Sequence, residues 1–96
     1  MPLSVGLLVV ELFLHGCGSL KEKRRVIRSL VDRARARYNV AAAEVEFQEL
    51  HQRSQIAFAS VAGSEEPLHR LFDQILSEAE DIVPGGVSEH AREILG

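Results

Sequence analysis

Apolar residues occupy both alternating sets of positions at the start of the chain, from Leu3 to Leu14. Valine, leucine and phenylalanine dominate this segment, and Glu11 is its single charged residue. Such a pattern is typical of a β-strand that is covered on both faces. The glycine-containing segment 15–18 then interrupts the pattern. We therefore predict a buried first strand that ends before Gly16.

A helical pattern follows this strand. Ser19 and Glu22 have the spacing of a capping box, which marks the start of a helix. Apolar side chains then recur at helical spacing and define the inward stripe: Leu20, Ile27, Leu30, Val31, Ala34 and Tyr38. Lys23 falls near the middle of this stripe, whereas most other positive side chains of the segment lie on the opposite face. The sequence predicts an amphipathic helix whose outer face is basic.

Two further strands and a second helix are predicted downstream. Residues 39–48 alternate between one apolar set and one largely acidic set, and residues 56–62 are apolar on both sets. Ser64 and Pro67 are typical of a helix start, a clean apolar stripe covers residues 68–79, and Pro84-Gly85-Gly86 ends that helix. Residues 87–95 fit an edge strand and a short helical tail equally well.

The order of these elements predicts an α+β fold, the ferredoxin-like two-layer sandwich (βαββαβ), with an uncertain fourth strand. Right-handed crossovers place both helices on one face of an antiparallel sheet, with the first and third strands in its centre. The chain length suits a single domain over residues 1–96. Because the other sheet face is apolar and uncovered, we predict a homodimer formed through this open face.

Several short segments together resemble the YlxP-like family of small bacterial proteins, over about the first two-thirds of the chain. They are Val5-Gly6-Leu7 with Glu11-Leu12, Ser19-Leu20-Lys21-Glu22-Lys23-Arg24, Tyr38-Asn39-Val40 with Ala43-Glu44-Val45, and Gln52-Arg53. The resemblance implies a ferredoxin-like fold and a gene neighbourhood that often includes ribosome-maturation and translation factors. It implies no established activity, so no catalytic residue is carried over. The segment 84–96 departs from the family pattern and leaves the fourth strand as the open element.

Positive charge is concentrated in the first helix. Eight of the eleven positive side chains and two of the fourteen carboxylates lie between Lys21 and Arg37, whereas the remainder of the chain is strongly acidic. A one-sided cluster of this kind predicts contact with structured RNA or a ribosomal particle. The residues expected to make that contact are Lys21, Arg24, Arg25, Arg28 and Arg35. The alternative is a solvated helix face with local Arg28–Asp32 and Glu22–Arg25 pairs.

Two other functions remain open. Gly16, Gly18 and Ser19 precede a helix and form a possible anion-binding loop, which a small phosphate-binding protein or hydrolase would use. The short glycine motif is weak evidence, however, because a tight connection between strand and helix explains it as well. The second possibility is a protein-interaction module whose basic helix binds an acidic protein. We expect no catalytic residues, no cofactor and no metal site in this chain.

The cysteine content and the apolar segment from Leu3 to Leu14 indicate in which cellular compartment the protein is expected. The single cysteine, Cys17, excludes an internal disulfide and fits a reducing compartment. The apolar run is too short to span a bilayer as a helix and lacks a basic flank. We therefore expect a cytoplasmic protein without membrane association.

Glu11 and Lys23 are charged residues at positions with apolar neighbours. One hypothesis pairs them inside the core, because an unpaired buried charge is costly. The other, which we favour from the sequence, is that Lys23 lays its stem on the core and exposes its ammonium group.

Overall fold

The strands and helices follow one another along the chain in the order that the sequence pattern predicts. The structure is a computed structural model that describes residues 2–96. Its elements are β1 (Ser4–Phe13), α1 (Leu20–Arg37), β2 (Ala41–Glu46), β3 (Arg53–Ala62), α2 (Glu65–Ile82) and β4 (Val87–Leu95). The strands form one antiparallel sheet in the order β2-β3-β1-β4. The ferredoxin-like fold with β1 and β3 in the centre is confirmed.

The two faces of β1 have different environments. Leu8, Val10 and Leu12 point towards the helices and are completely buried, whereas Leu7 on the other face is exposed. The close packing between β1 and α2 depends on Gly6. A Cβ atom at this position would lie 2.8 Å from two ring carbons of Phe72, a separation too short for any real side chain. The missing side chain therefore lets α2 approach the sheet closely.

The two helices begin differently. At the start of α1, the Ser19 hydroxyl accepts a hydrogen bond from the Glu22 N–H at 3.2 Å, as the capping-box pattern predicts. The Glu22 carboxylate in turn accepts one from the Gly18 N–H at 2.9 Å. At the start of α2, the Ser64 side chain makes no capping hydrogen bond, and carboxylates in the first turn favour this positive helix end instead.

The fourth strand, which the sequence left open, is formed by residues 87–95 at the edge of the sheet. It pairs with β1, and a bulge between Val9 and Val10 shifts the register. Arg92 occupies a position on the helix-facing side, where a strand normally carries an apolar residue. Its guanidinium group lies over the Phe72 ring and is held 2.8 Å from Asp73. This paired arginine takes the place of an apolar residue, which is why the strand pattern is weak.

Both hypotheses about Lys23 were wrong. The Lys23 side chain is only 1% exposed, and its ammonium group pairs with Glu44, not Glu11, at 2.9 Å. Its remaining bonds go to main-chain carbonyl oxygens of Phe47 (2.6 Å), Leu50 (2.5 Å) and Arg53 (2.9 Å). A buried ammonium is tolerated here because every donor has an acceptor. Lys23 therefore fastens the first turn of α1 to the β2–β3 connection.

Glu11 has its own partners on the opposite face of the sheet. Its carboxylate accepts hydrogen bonds from Gln55 Nε2 at 2.7 Å and from Arg53 Nη2 at 3.2 and 3.3 Å. The Gln55 hydrogen bond, together with the Arg53 guanidinium, holds the pKa of Glu11 below its usual value, although burial opposes this effect.

Between residues 2 and 96, no helix combines the length and apolar character that crossing a membrane requires.

Candidate nucleic-acid interface

The outward side of α1 carries the positive residues that the sequence analysis singled out. We call this surface the basic face; it consists of Lys21, Arg24, Arg25, Arg28 and Arg35, and all five residues are exposed. The first four line one shallow depression of about 280 Å³. Their side chains meet because positions three and four residues apart are neighbours on a helix surface. The structure thus brings four of the five predicted contact residues into a single patch.

No residue of the basic face forms an ion pair with another described residue. Among residues 2–96, five salt bridges form, and none involves a residue of the basic face. The local pairs Arg28–Asp32 and Glu22–Arg25, considered above as the ordinary explanation of the charges, are absent from this set. The five side chains therefore direct unneutralised positive charge into water.

Arg35 stands slightly apart from the other four residues. Its Nη2 atom donates a hydrogen bond to the carbonyl oxygen of Ala42 in β2, at 2.7 Å. Together with Arg24 and Arg28 it borders a groove of about 430 Å³ between α1 and the edge strand. A carbonyl oxygen leaves the guanidinium charge of Arg35 unneutralised, but Asp32 and Glu44 line the same groove. Positive charge is therefore less concentrated here than in the depression formed by the other four residues.

The remaining positive residues of α1 have other roles. Lys23 is buried, as described above, and Arg37 pairs with Glu78 of α2, which raises the pKa of Arg37. The same carboxylate raises the pKa of Tyr38 by hydrogen bonding. Arg33 is exposed and forms none of the salt bridges found among residues 2–96. The eight positive residues thus divide into the five of the basic face, two cations that tie α1 to the rest of the fold, and the exposed Arg33.

Two N–H donors of the possible anion-binding loop are engaged within the chain. The Glu22 carboxylate accepts the Gly18 N–H, and the carbonyl oxygen of Leu14 accepts the Cys17 N–H at 3.0 Å. A carboxylate at this helix end occupies the place that a bound anion would take. Cys17 is buried, which together with the charge of Glu22 raises the pKa of its thiol. These contacts favour a structural connection between strand and helix over an anion site.

The open face of the sheet offers no row of free aromatic rings. Phe58 is fully buried on the helix side, and the Arg53 guanidinium lies 4.1 Å from the ring centre of Phe47 and 5.5 Å from that of Phe13. Base stacking on a sheet surface requires accessible rings in a basic environment. The basic face of α1 is therefore a better candidate for nucleic-acid contact than the sheet.

Within residues 2–96, no three His, Cys, Asp or Glu residues are grouped so as to hold a metal ion.

Comparisons with known proteins agree with the resemblance seen in the sequence. The uncharacterized protein YlxP of Bacillus subtilis (strain 168) is 29% identical over 73 residues, which cover 76% of this chain and 79% of that protein. In fold, the chain is similar to the crystal structure of SnoaB, a cofactor-independent oxygenase from Streptomyces nogalater. That similarity has a TM-score of 0.51 at 11% identity, covers 97% of this chain and 91% of the other, and concerns the fold alone. The sequence pattern of a family described as "Protein of unknown function (DUF503)" matches residues 5–90, and the chain belongs to this family.

Proposed function

We propose that this protein contacts structured RNA or a ribosomal particle through the basic face of α1, without catalytic chemistry. The observation that carries the proposal is the exposed cluster Lys21, Arg24, Arg25 and Arg28, with Arg35 beside it, free of ion pairs to the rest of residues 2–96. Each cation that meets a phosphate releases a condensed counterion, and this release supplies affinity that does not depend on sequence. The surface is therefore suited to a polyanion.

The composition of the basic face favours a folded RNA over a flexible single strand. No aromatic residue lies between Leu20 and Arg37, and single-stranded RNA is normally held by stacking bases on aromatic rings. Double-helical RNA, in contrast, is recognised largely through its backbone and shape, which guanidinium and ammonium groups can contact. At 1.5 Å per residue, Lys21 and Arg35 lie about 21 Å apart along the helix axis, enough to reach several phosphates.

The acidic remainder of the molecule limits how an RNA can approach. Exposed carboxylates of α2, among them Glu66, Glu80 and Asp81, lie on the neighbouring helix of the same layer. They repel phosphate, so that attraction is confined to the α1 side. This polarity favours a single orientation on the RNA despite the small net charge of −3 for the whole chain.

The rival functions make different demands on the same surfaces. An acidic protein would also be attracted to the basic face, but its binding would survive removal of RNA. A phosphate-containing small molecule would bind at Gly16, Gly18 and Ser19 instead, where it would have to displace the Glu22 carboxylate from the Gly18 N–H. Its binding would leave the basic face free.

A salt series with matched variants tests the proposal. We expect the wild type to co-sediment with ribosomal subunits and to bind a duplex RNA, with affinity falling steeply as salt rises. The double variant Arg24→Gln/Arg28→Gln should lose much of this affinity, and its slope of log K against log salt should fall by about two. The matched control Arg33→Gln/Arg70→Gln removes the same charge from exposed positions outside the basic face and should bind almost as the wild type does.

Two results would contradict the proposal. One is an absence of RNA and ribosome binding by the wild type even at low salt. The other is an equal loss in both double variants, which would show that only the total charge matters. Capture of an acidic protein after nuclease treatment, with no binding to purified RNA, would favour the protein-interaction alternative.

A further inference from the structure

The face of the sheet that the helices leave uncovered is largely apolar. We call it the open face; its apolar residues are Val5, Leu7, Val9 and Phe13 of β1, Ala57, Ala59 and Val61 of β3, Ala41 and Ala43 of β2, and Ala91 and Leu95 of β4. The larger ones are well exposed, with 57% of Val61 and 69% of Leu95 accessible. An apolar surface that continues across four strands is unusual on a monomer and marks an interaction site.

The size of the open face matches what a stable dimer needs. Four strands at a spacing of about 4.8 Å and central strands of ten residues give a flat footprint of about 600 Å². Because side chains project from the sheet, the accessible area of this face is larger than the flat footprint. It approaches the value of about 800 Å² per partner that is typical of specific protein interfaces. The open face therefore offers a full interface and not a minor contact.

The charges of the open face allow it to meet a copy of itself. The central strands carry only Glu11 and Arg53 on this side, and these two groups neutralise each other through hydrogen bonds. The edge strands add Glu46, opposite Gln55, and Glu93, opposite Leu7, at the rim of this face, whereas its centre carries no net charge. Two identical faces of this kind therefore meet with less repulsion than two basic faces of α1 would. The apolar character also makes the open face a poor surface for RNA. We propose that a second copy of this chain covers the open face, in an isologous dimer packed sheet against sheet.

The distribution of side chains along the strands indicates how the two copies are oriented. Val5, Leu7, Val61 and Leu95 gather at one end of the open face, and the Glu11–Arg53 cluster lies at the other. Burial of apolar area is greatest when the two apolar ends meet. A two-fold axis that runs along the central strands achieves this, and an axis across the strands would set each apolar end against an ion pair. The dimer axis therefore follows β1 and β3.

The alanines next to this apolar end complete the fit. Ala41, Ala43, Ala57 and Ala59, with Leu7 at the border, surround a shallow depression of about 230 Å³. Small residues let the second sheet approach closely, and the depression has room for an apolar side chain of the other copy. Both helix layers then lie on the outside of the dimer. If the proposed RNA contact holds, its two basic faces remain available on opposite sides.

Sedimentation equilibrium of the purified protein, without RNA, tests the dimer. We expect a two-fold assembly with a dissociation constant of about 1 µM or tighter. Val61→Asp and Ala43→Asp each place a charge in the open face and should weaken dimerisation by about 100-fold or more, because a buried unpaired carboxylate is costly. The matched control Ala36→Asp changes another exposed alanine, on α1, and should leave the dimer unchanged.

The possible outcomes separate the dimer from the RNA proposal. Circular dichroism should show a folded monomer for Val61→Asp and Ala43→Asp, because both positions are exposed in the single chain. A wild type that stays monomeric at high concentration overturns the dimer. So does an open-face variant that dimerises like the wild type, or a control that dissociates equally. None of these results bears on RNA binding, which is measured separately on the basic face.

Discussion

Replacing Lys23 by methionine should destabilise the protein more than any surface change in α1. Methionine keeps most of the apolar volume of the lysine stem but removes the ammonium group. The Glu44 carboxylate then loses its only ion-pair partner among residues 2–96, and the carbonyl oxygens of Phe47, Leu50 and Arg53 lose a donor. Because the ammonium is almost inaccessible to water, solvent cannot simply replace it.

The expected loss can be estimated from these contacts. Removing one partner of a buried ion pair costs about 3–5 kcal/mol, and a buried carbonyl left without a donor costs about 1 kcal/mol or more. The Glu44 carboxylate is 19% exposed and keeps the hydrogen bond from the Ser54 hydroxyl, and the Phe47 carbonyl oxygen still accepts the Leu50 N–H. These remaining contacts keep the total close to the cost of the ion pair alone. We expect Lys23→Met to lower the free energy of unfolding by about 4 kcal/mol, out of about 5–14 kcal/mol for a chain of this length.

The loss should be concentrated in the β2–β3 connection. Phe47 has a φ angle of 65°, in the left-handed region that non-glycine residues rarely occupy, and its carbonyl oxygen is one of the acceptors of Lys23. Strained backbone of this kind persists only where surrounding contacts hold it. Hydrogen exchange of amides 47–53 should therefore accelerate in Lys23→Met more than exchange in the strand β1.

Urea denaturation followed by circular dichroism measures the total effect. Lys21→Met is the matched control, because it removes the same charge from an exposed position of the same helical turn and should change stability by less than about 0.5 kcal/mol. Adding Glu44→Gln to Lys23→Met removes the stranded carboxylate and should recover part of the loss. A loss below about 1 kcal/mol for Lys23→Met would refute the reasoning, since the cluster of acceptors would then not require the ammonium.

Two further predictions concern the sheet. Gly6→Ala should destabilise the protein by about 1–3 kcal/mol in the same urea assay, because its Cβ would collide with the ring of Phe72. In the control Gly63→Ala, the added Cβ meets no atom of residues 2–96 within 4 Å and the change should be nearly neutral, so an equal loss in both would contradict the packing argument. The lowered pKa of Glu11 stabilises the fold above the ordinary value of 4.5, and this contribution is lost as the pH falls through the lowered value. Glu11→Gln should flatten this part of the stability profile, and an unchanged profile would show that Glu11 does not cause it.

The fold was predictable because its signals are periodic. The apolar residues on both faces of β1 and the apolar stripe of α2 indicate which elements form. Apolar residues on both faces also indicate that β1 and β3 lie in the centre of the sheet. The fourth strand was not decided, because its helix-facing Arg92 depends on partners from α2 and from β4 itself, Asp73 and Glu89. A pattern of apolar and polar residues contains no information about such distant pairing.

The same limit applies to the buried charges. The position of Lys23 in the inward stripe correctly indicated that its stem is buried, and the isolated Glu11 indicated a special environment. Which carboxylate meets which cation depends, however, on strand pairing and on the bulge in β2 between Glu44 and Glu46. Periodicity shows that a partner is needed, and only the register shows that Lys23 meets Glu44 while Glu11 meets Arg53.

The distribution of ion pairs explains how a chain with more carboxylates than cations keeps a bare positive surface. The cations that form ion pairs among residues 2–96 are Lys23, Arg37, Arg53 and Arg92, and each fastens one element of the fold to another or to itself. The acidic partners of these cations lie in the strands of the sheet and in α2. Two further exposed acids, Glu22 and Asp32, lie on α1 itself, but neither forms a salt bridge with the basic face among residues 2–96. Structural pairing and the free basic face are therefore separate, so charge reversal on that face should alter binding far more than stability.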